Sequence, residues 1–259
     1  MSRDGEEANG HRDPLLERKL QRALDSGNLV WVVGDIHGHY STLENLLEKI
    51  DLQEGDMLVS LGDLIDRGPD SASVLRMFRD HESLFSIRGN HEDMMLRCLS
   101  RRRNKDCKSW LKYGGIETLE SFEVTPEKRD LLSVEWCEFL SRLPTEVILD
   151  RHRLVHAGLN PLKKLENQTN NDRLWSRNIF ESSTAPDPLR QVVVGHTPTQ
   201  EIEGHEASTP WYSKFTVNEN QPAIVALDTG ICLDQELVPT LTAMCLSSGR
   251  LVQIEKNVS

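Results

Sequence analysis

The sequence predicts an α/β domain, because short apolar runs alternate with polar, glycine-containing loops and then with amphipathic helices. The first three apolar runs lie at residues 31–33, 57–61 and 84–87, and each is rich in residues that favour β-strands. The 259-residue chain is long enough for one large domain with a buried core.

The first element is a helix that begins after an irregular N-terminus. Residues 1–12 are small or charged and show no apolar periodicity, so we expect them to be disordered. Asp13 is a favourable N-cap and Pro14 a favourable first helical residue, while Gly27 can end the helix. The remainder, residues 13–259, is interpreted as a single domain.

Two helices follow the first two strands and carry their apolar residues at helical spacing. These residues are Leu43, Leu46, Leu47 and Ile50 in the first helix, and Val74, Leu75 and Phe78 in the second. Residues 93–145 are mostly helical in pattern and are interpreted as a cap or insertion. Strands return at residues 153–155, 192–194 and 224–227, and then near the C-terminus, which predicts a mixed sheet arrangement.

Composition restricts the classes of function and the compartment. The formal net charge of −11 disfavours stable nucleic-acid binding, and no apolar run is long enough to span a membrane. Five cysteines without a CxxC pair predict reduced thiols with no redox role. The N-terminus lacks a signal pattern, so a cytoplasmic location is expected.

Five polar clusters directly follow apolar, strand-like runs. They lie at residues 34–38, 62–68, 88–92, 155–158 and 194–198, and each supplies Asp, His or Asn beside glycine. Ligands in α/β sheets bind outside the carboxyl ends of the strands, so we expect these side chains to converge. Carboxylate, imidazole and amide ligands suit Mn²⁺, Fe²⁺ or Zn²⁺, and about six of them favour two metals.

The five clusters, in this order, resemble the calcineurin-like metallophosphoesterase superfamily. Within it they resemble the branch of bacterial and phage serine/threonine protein phosphatases, to which symmetrical diadenosine tetraphosphatases are related. The resemblance implies a four-layer α/β/β/α sandwich with two mixed sheets and a helical insertion. It also implies two divalent metal ions. Mn²⁺ is the preferred candidate, and Fe, Zn, Ni or Co are the alternatives.

The resemblance assigns metal ligands residue by residue. Asp35 and His37 would bind the first metal, and Asp63 would bridge both. The ligands implied for the second metal are Asn90, His156 and His196.

Four further residues receive catalytic roles from the resemblance. His91 would protonate the leaving oxygen, Asp66 would pair with His91, and Arg67 would bind the substrate phosphate. Arg177, in the segment Leu-Trp-Ser-Arg, is the candidate for a second phosphate clamp, with a plain salt bridge as the alternative. Asp228 is interpreted as structural or supporting. Residues 110–115 are interpreted as a wall of the substrate groove, although a Trp and a Tyr such as Trp110 and Tyr113 are more often packing residues than substrate contacts.

Three functions remain open. The first is a protein phosphatase that hydrolyses phosphoserine or phosphothreonine monoesters by a metal-bridging hydroxide, in one step, with phosphotyrosine left open as a further substrate. The second is a pyrophosphohydrolase acting on dinucleoside polyphosphates or capped RNA, and the third is an inactive scaffold on the same fold. The chain has no Ser-Ala-Pro-Asn-Tyr segment after His196, so no regulatory subunit is inferred.

Overall fold

Two five-stranded mixed sheets form the centre of the protein in a computed structural model. The structure describes residues 11–101, 104–205, 207–218, 221–233 and 238–257. Most of the segment that we expected to be disordered, residues 1–10, lies outside the described residues. Arg12 forms an ion pair with Glu17.

The helices and strands alternate in the first third of the chain, as the sequence predicts. The helices are α1 (Pro14–Asp25), α2 (Tyr40–Ile50), α3 (Ser71–Asp80), α4 (Asn90–Arg101), α5 (Asn104–Trp110), α6 (Ile116–Ser121), α7 (Ser133–Arg142) and α8 (Asn170–Trp175). The strands are β1 (Val30–Val33), β2 (Met57–Ser60), β3 (Leu84–Ser86), β4 (Glu146–Ile148), β5 (His152–Val155), β6 (Gln191–Val194), β7 (Trp211–Tyr212), β8 (Thr216–Val217), β9 (Gln221–Pro222), β10 (Ile224–Ala226), β11 (Thr240–Cys245) and β12 (Leu251–Glu255).

Each large sheet combines parallel and antiparallel strands, which confirms the predicted mixed sheets. The first has the order β12-β11-β1-β2-β3, in which β1, β2 and β3 are parallel. The second has the order β4-β5-β6-β10-β7, in which β5, β6 and β10 are parallel. The carboxyl ends of the parallel strands are where the predicted polar clusters begin.

Alternate residues of the strands enter different apolar layers, because side chains alternate across a sheet. Val30 and Val32 of β1 belong to the core between the two sheets, together with Leu154 and Val193 of the second sheet. Trp31 of β1 belongs to the core that the first sheet shares with the helices. Both faces of β1 are therefore buried, which explains why its sequence is continuously apolar.

Helices α4 to α7 occupy most of the stretch from residue 93 to residue 145. Trp110, Trp136 and Leu140 are buried in the core shared with the first sheet. A disulfide between Cys98 of α4 and Cys107 of α5 joins two of these helices. The prediction that all five cysteines are reduced is therefore wrong for this pair. The free cysteines are Cys137, Cys232 and Cys245.

Among the described residues, no helix has both the length and the apolar character to cross a membrane.

A buried network of charged side chains stabilises the β4 edge of the second sheet. Glu146 of β4 accepts hydrogen bonds from Arg153 at 2.6 Å and from Arg173 at 2.8 Å. Arg153 also donates to Asp187 at 2.9 Å. All four side chains are at least nine-tenths buried, so each charge depends on its partners for compensation.

We predict that Glu146→Gln lowers the free energy of unfolding by about 3 kcal/mol, because it leaves two buried guanidinium groups short of a carboxylate. Urea denaturation measures this change. The matched control is Glu138→Gln, since Glu138 pairs with Arg142 on the exposed surface of α7 and should change stability by less than about 0.5 kcal/mol. Equal effects of the two substitutions would contradict the prediction.

Candidate metal centre

The five polar clusters converge at one end of the two sheets. They follow β1, β2, β3, β5 and β6, the strands whose carboxyl ends the sequence analysis placed together. A cavity of about 280 Å³ opens among them. Its lining residues are His37, Asp63, Arg67, Asn90, His91, Arg177, His196, Pro198, Glu201, Asp228, Gly230, Cys232 and Leu233.

Asp63 lies at the centre of two groups of possible metal ligands. The first group contains His37, Asp63 and His91, and the second contains Asp63, His156 and His196. Within each group the ligand atoms all lie within 4.8 Å of one another. Because both groups include Asp63, its carboxylate is placed to bridge two ions.

Two histidines of the centre have the hydrogen bonds that metal ligands usually have. Nδ1 of His37 donates to the carbonyl oxygen of Ile65, and Nδ1 of His156 donates to that of Leu61, each at 2.8 Å. Both Nε2 atoms face Asp63, at 3.7 Å and 3.4 Å. Such carbonyl contacts fix the tautomer and orient a ligating imidazole. The residues present therefore fit metal ions.

Asn90 joins the second group. Its Oδ1 lies 2.8 Å from Nε2 of His156 and 2.9 Å from Nδ1 of His196. The backbone N–H of His196 donates to Asp35, which connects the loop after β6 in the second sheet with the loop after β1 in the first. Asp35 also lies 4.0 Å from Nε2 of His37. All six predicted ligands are thus brought together.

The centre holds more buried carboxylates than its side-chain cations compensate. Burial, with the neighbouring charges of Asp228 and Asp63, raises the pKa of Asp35 well above its usual value. Burial raises the pKa of Asp228 to about 6. For His156, burial lowers the pKa, but the negative charges of Asp63 and Asp35 outweigh burial and raise it to about 10. Divalent cations would supply the compensating charge.

Left-handed backbone conformations recur at this site, at a typical cost of about 1 kcal/mol or more each. Five residues with positive φ that are not glycine lie here: His37, Asp63, Asp66, Arg67 and His196. Such conformations persist only where the surrounding structure imposes them, and here the loops hold one another. The N–H groups of Ile36 and His37 donate to the carbonyl oxygen of Asp63, for example.

His91, a member of the first group, forms a buried pair with Asp66. Nδ1 of His91 lies 2.6 Å from Oδ2 of Asp66, and Nε2 of His91 lies 3.9 Å from Asp63. Arg67 extends into the cavity, where its guanidinium contacts Nε2 of His37 at 2.9 Å and Nε2 of His91 at 3.0 Å. The predicted acid, its partner and the predicted phosphate ligand are therefore adjacent.

Trp110 supports this pair from behind, as a buried packing residue and not as a wall of the substrate groove. The side chain is fully buried, and its indole N–H contacts both carboxylate oxygens of Asp66 at 3.0 Å. Thr118 donates to the same carboxylate at 2.6 Å. Tyr113, from the same predicted wall, is 48% exposed, and the carbonyl oxygen of the adjacent Gly114 accepts the backbone N–H of Arg67.

Arg177 and Asp228 lie on the wall of the cavity at different depths. Arg177 is half-exposed, and its Nη1 donates to Oε2 of Glu201 at 2.6 Å. Both members of this ion pair line the cavity, so the structure shows the salt bridge that was the alternative to a phosphate clamp. Asp228 is buried and accepts the N–H of Gly230 at 3.0 Å.

Glu92 is a residue of the site to which the sequence analysis gave no role. Its fully buried carboxylate accepts the backbone N–H groups of Asp63, Leu64 and Gly89, at 2.9, 2.8 and 2.7 Å. Burial raises the pKa of Glu92 to about 7. Its spacing after Gly89 could have revealed it, because a Glu at the third helical position often accepts the N–H of the N-cap residue.

Comparison with known proteins agrees with this geometry. The profile of the calcineurin-like phosphoesterases matches residues 29–226. The chain belongs to this family. The match begins just before β1 and ends with β10, so it includes all five clusters.

Two curated relatives differ in the substrate that they are named for. Serine/threonine-protein phosphatase 1 of Salmonella typhimurium is 48% identical over 88 residues, 33% of this chain and 38% of that protein. The symmetrical bis(5'-nucleosyl)-tetraphosphatase of Methylobacillus flagellatus is 37% identical over 133 residues, 51% of this chain and 43% of that protein. The matched segments thus span about two-fifths of the length of these relatives.

A solved structure of a serine/threonine phosphatase from Saccharomyces cerevisiae has the same fold. It is 17% identical, with a TM-score of 0.57, over 90% of this chain and 81% of that one. At this identity the likeness concerns the fold alone.

We predict that Glu92→Gln weakens Mn²⁺ binding by roughly 10–100-fold, the usual effect of losing a group that orients metal ligands. The amide would present an N–H to backbone N–H groups and displace Asp63. Titration of the metal-free protein with Mn²⁺ measures the affinity, with Glu138→Gln as control. Unchanged affinity in Glu92→Gln would show that this carboxylate does not position the centre.

Proposed function

We propose that the protein is a metal-dependent phosphoprotein phosphatase that hydrolyses phosphomonoesters. The observation that carries this proposal is the pair of donor groups sharing Asp63, with two arginines in the same cavity. Carboxylates and imidazoles in this number suit two ions, and guanidinium groups suit a phosphate.

In the proposal, Asp35, His37 and Asp63 hold the first ion. Asp63, with Asn90, His156 and His196, holds the second, and Mn²⁺ is the proposed metal. Ions bound there would supply Lewis acidity toward the phosphoryl oxygens and would lower the pKa of a water molecule. The protein's own part is to fix the ligands, chiefly through the carbonyl contacts of the two histidines.

His91 is the proposed general acid. Asp66 accepts the Nδ1–H of His91, which leaves Nε2 directed into the cavity to carry the proton for the leaving oxygen. Arg67 and Arg177 are the proposed phosphate ligands, because both line the cavity and offer paired N–H donors. Asp228 is proposed as a supporting carboxylate beside Asp35.

The size of the cavity favours a substrate that places one phosphoryl group inside and extends outward. A volume of about 280 Å³ lies at the lower limit for pockets that enclose a whole drug-sized ligand, roughly 300–1,000 Å³. It accommodates a phosphoryl group and the first atoms of its leaving group. A phosphorylated side chain on a peptide needs no more.

Hydrolysis of dinucleoside polyphosphates or capped RNA is the second candidate, favoured by the relative from Methylobacillus flagellatus, which matches the larger share of this chain. An inactive scaffold is the least favoured, because the complete donor set is present. Phosphopeptides assayed beside dinucleoside polyphosphates, with Mn²⁺ restored after chelation, separate the candidates. Strong preference for dinucleotides would overturn the phosphatase proposal.

We predict that Asp63→Asn loses turnover by roughly a thousandfold or more, since removing the shared carboxylate withdraws several kcal/mol of metal-derived stabilisation. Metal analysis should show fewer than two ions per chain. The control is Asp25→Asn, because Asp25 is exposed at the end of α1 and is not among the lining residues of this cavity. Full turnover in Asp63→Asn would contradict the role given to the shared carboxylate.

We predict that Trp110→Phe lowers kcat roughly tenfold and moves the acid limb of its pH profile to higher pH. Burial already raises the pKa of Asp66, and the indole N–H opposes that effect. Without this donor the pKa of Asp66 rises further. Asp66 then becomes protonated at a higher pH, and the neutral carboxyl group no longer holds His91 by an ionic hydrogen bond. Trp136→Phe is the control, because Trp136 packs in the same core against Phe122 and Phe139. An unshifted profile would contradict the role given to Trp110.

A further inference from the structure

An exposed ion pair stands at the mouth of the cavity. Arg177 follows α8, and Glu201 ends a short 3₁₀ segment, Thr199–Glu201, that comes soon after His196. The side chains are 52% and 46% exposed, and both line the cavity. The pair therefore meets solvent on one side and the metal centre on the other.

Glu201 differs from the other acidic residues of the cavity. Among the described residues that line it, Asp63, Glu201 and Asp228 are acidic, and only Glu201 is exposed. Asp63 and Asp228 lie within the metal centre, where bound cations would compensate their charges. The charge of Glu201 is compensated by Arg177 alone among the contacts that the structure gives it.

Binding of a substrate phosphate would change this pairing. If Arg177 turns to the phosphate, as the proposed function requires, its guanidinium leaves Glu201. The exposed carboxylate then stands beside the bound phosphate without a counter-charge. A cationic group on the substrate would replace the guanidinium, whereas a further phosphate would be repelled.

We propose that Glu201 is a specificity-determining residue, which selects phosphomonoesters flanked by basic residues and disfavours polyphosphates. The proposal rests on the proposed function, because it assigns the substrate class of the same site. Glu201 takes no part in bond breaking, so it should act on KM more than on kcat.

The expected size of the effect of Glu201 on substrate preference follows from Coulomb's law. In water, one unit charge at roughly 7 Å from the carboxylate changes binding by about threefold. Exchanging one flanking Arg for Glu changes the substrate by two charges, which amounts to about tenfold. The effect should shrink as salt is added, because the Debye length is about 10 Å at 0.1 M ionic strength.

The experiment compares three substrates at low ionic strength: a phosphoserine peptide with Arg beside the phosphoserine, the same peptide with Glu there, and diadenosine tetraphosphate. We expect the wild-type protein with Mn²⁺ to favour the Arg peptide over the Glu peptide by about tenfold in kcat/KM, mainly through KM. In Glu201→Gln this preference should fall to about threefold or less. Cleavage of diadenosine tetraphosphate should rise relative to the Arg peptide.

Glu138→Gln is the matched control, since it removes an exposed glutamate from an Arg–Glu pair on α7 and should retain the wild-type preference. A preference that is unchanged in Glu201→Gln, or lost equally in Glu138→Gln, would overturn the inference while leaving the phosphatase proposal intact. A uniform change in KM for all three substrates would also overturn it, as a structural effect. Cleavage of diadenosine tetraphosphate alone by the wild-type protein would overturn both proposals.

Discussion

The concentration of buried negative charge around Asp63 is the constraint on which the rest of the structure depends. Asp35, Asp228 and Glu92 are buried near the same carboxylate, in surroundings where unpaired charges are strongly unfavourable. The parallel strands bring the residues that could compensate this charge to one place. Positive φ values at their loops show how far the backbone departs from its usual conformations to do so.

Helix α4 links this centre to the helical segment that follows it. Its first turn contains Asn90, His91 and Glu92, which contact the second donor group, Asp66 and three backbone N–H groups respectively. The disulfide joins α4 to α5, and α5 ends at Trp110, which contacts Asp66. The helical segment thus supports the His91–Asp66 pair.

We infer that the buried and the exposed parts of the cavity have different roles. The donor groups around Asp63 are suited to chemistry at phosphorus and are indifferent to what the phosphorus is attached to. In the proposal for Glu201, the mouth is where substrates that share a phosphoryl group are distinguished.

The six side chains that converge were identified through the resemblance to a known family. The sequence by itself determined the α/β class and the strands that precede the five clusters. It could do so because apolar periodicity and local turn chemistry act over a few residues. The tertiary structure alone decided that Trp110 contacts Asp66, that Cys98 pairs with Cys107 and that Glu201 faces Arg177. Each of these contacts depends on how separate elements pack, and spacing along a chain does not report which face of one helix or loop will meet another.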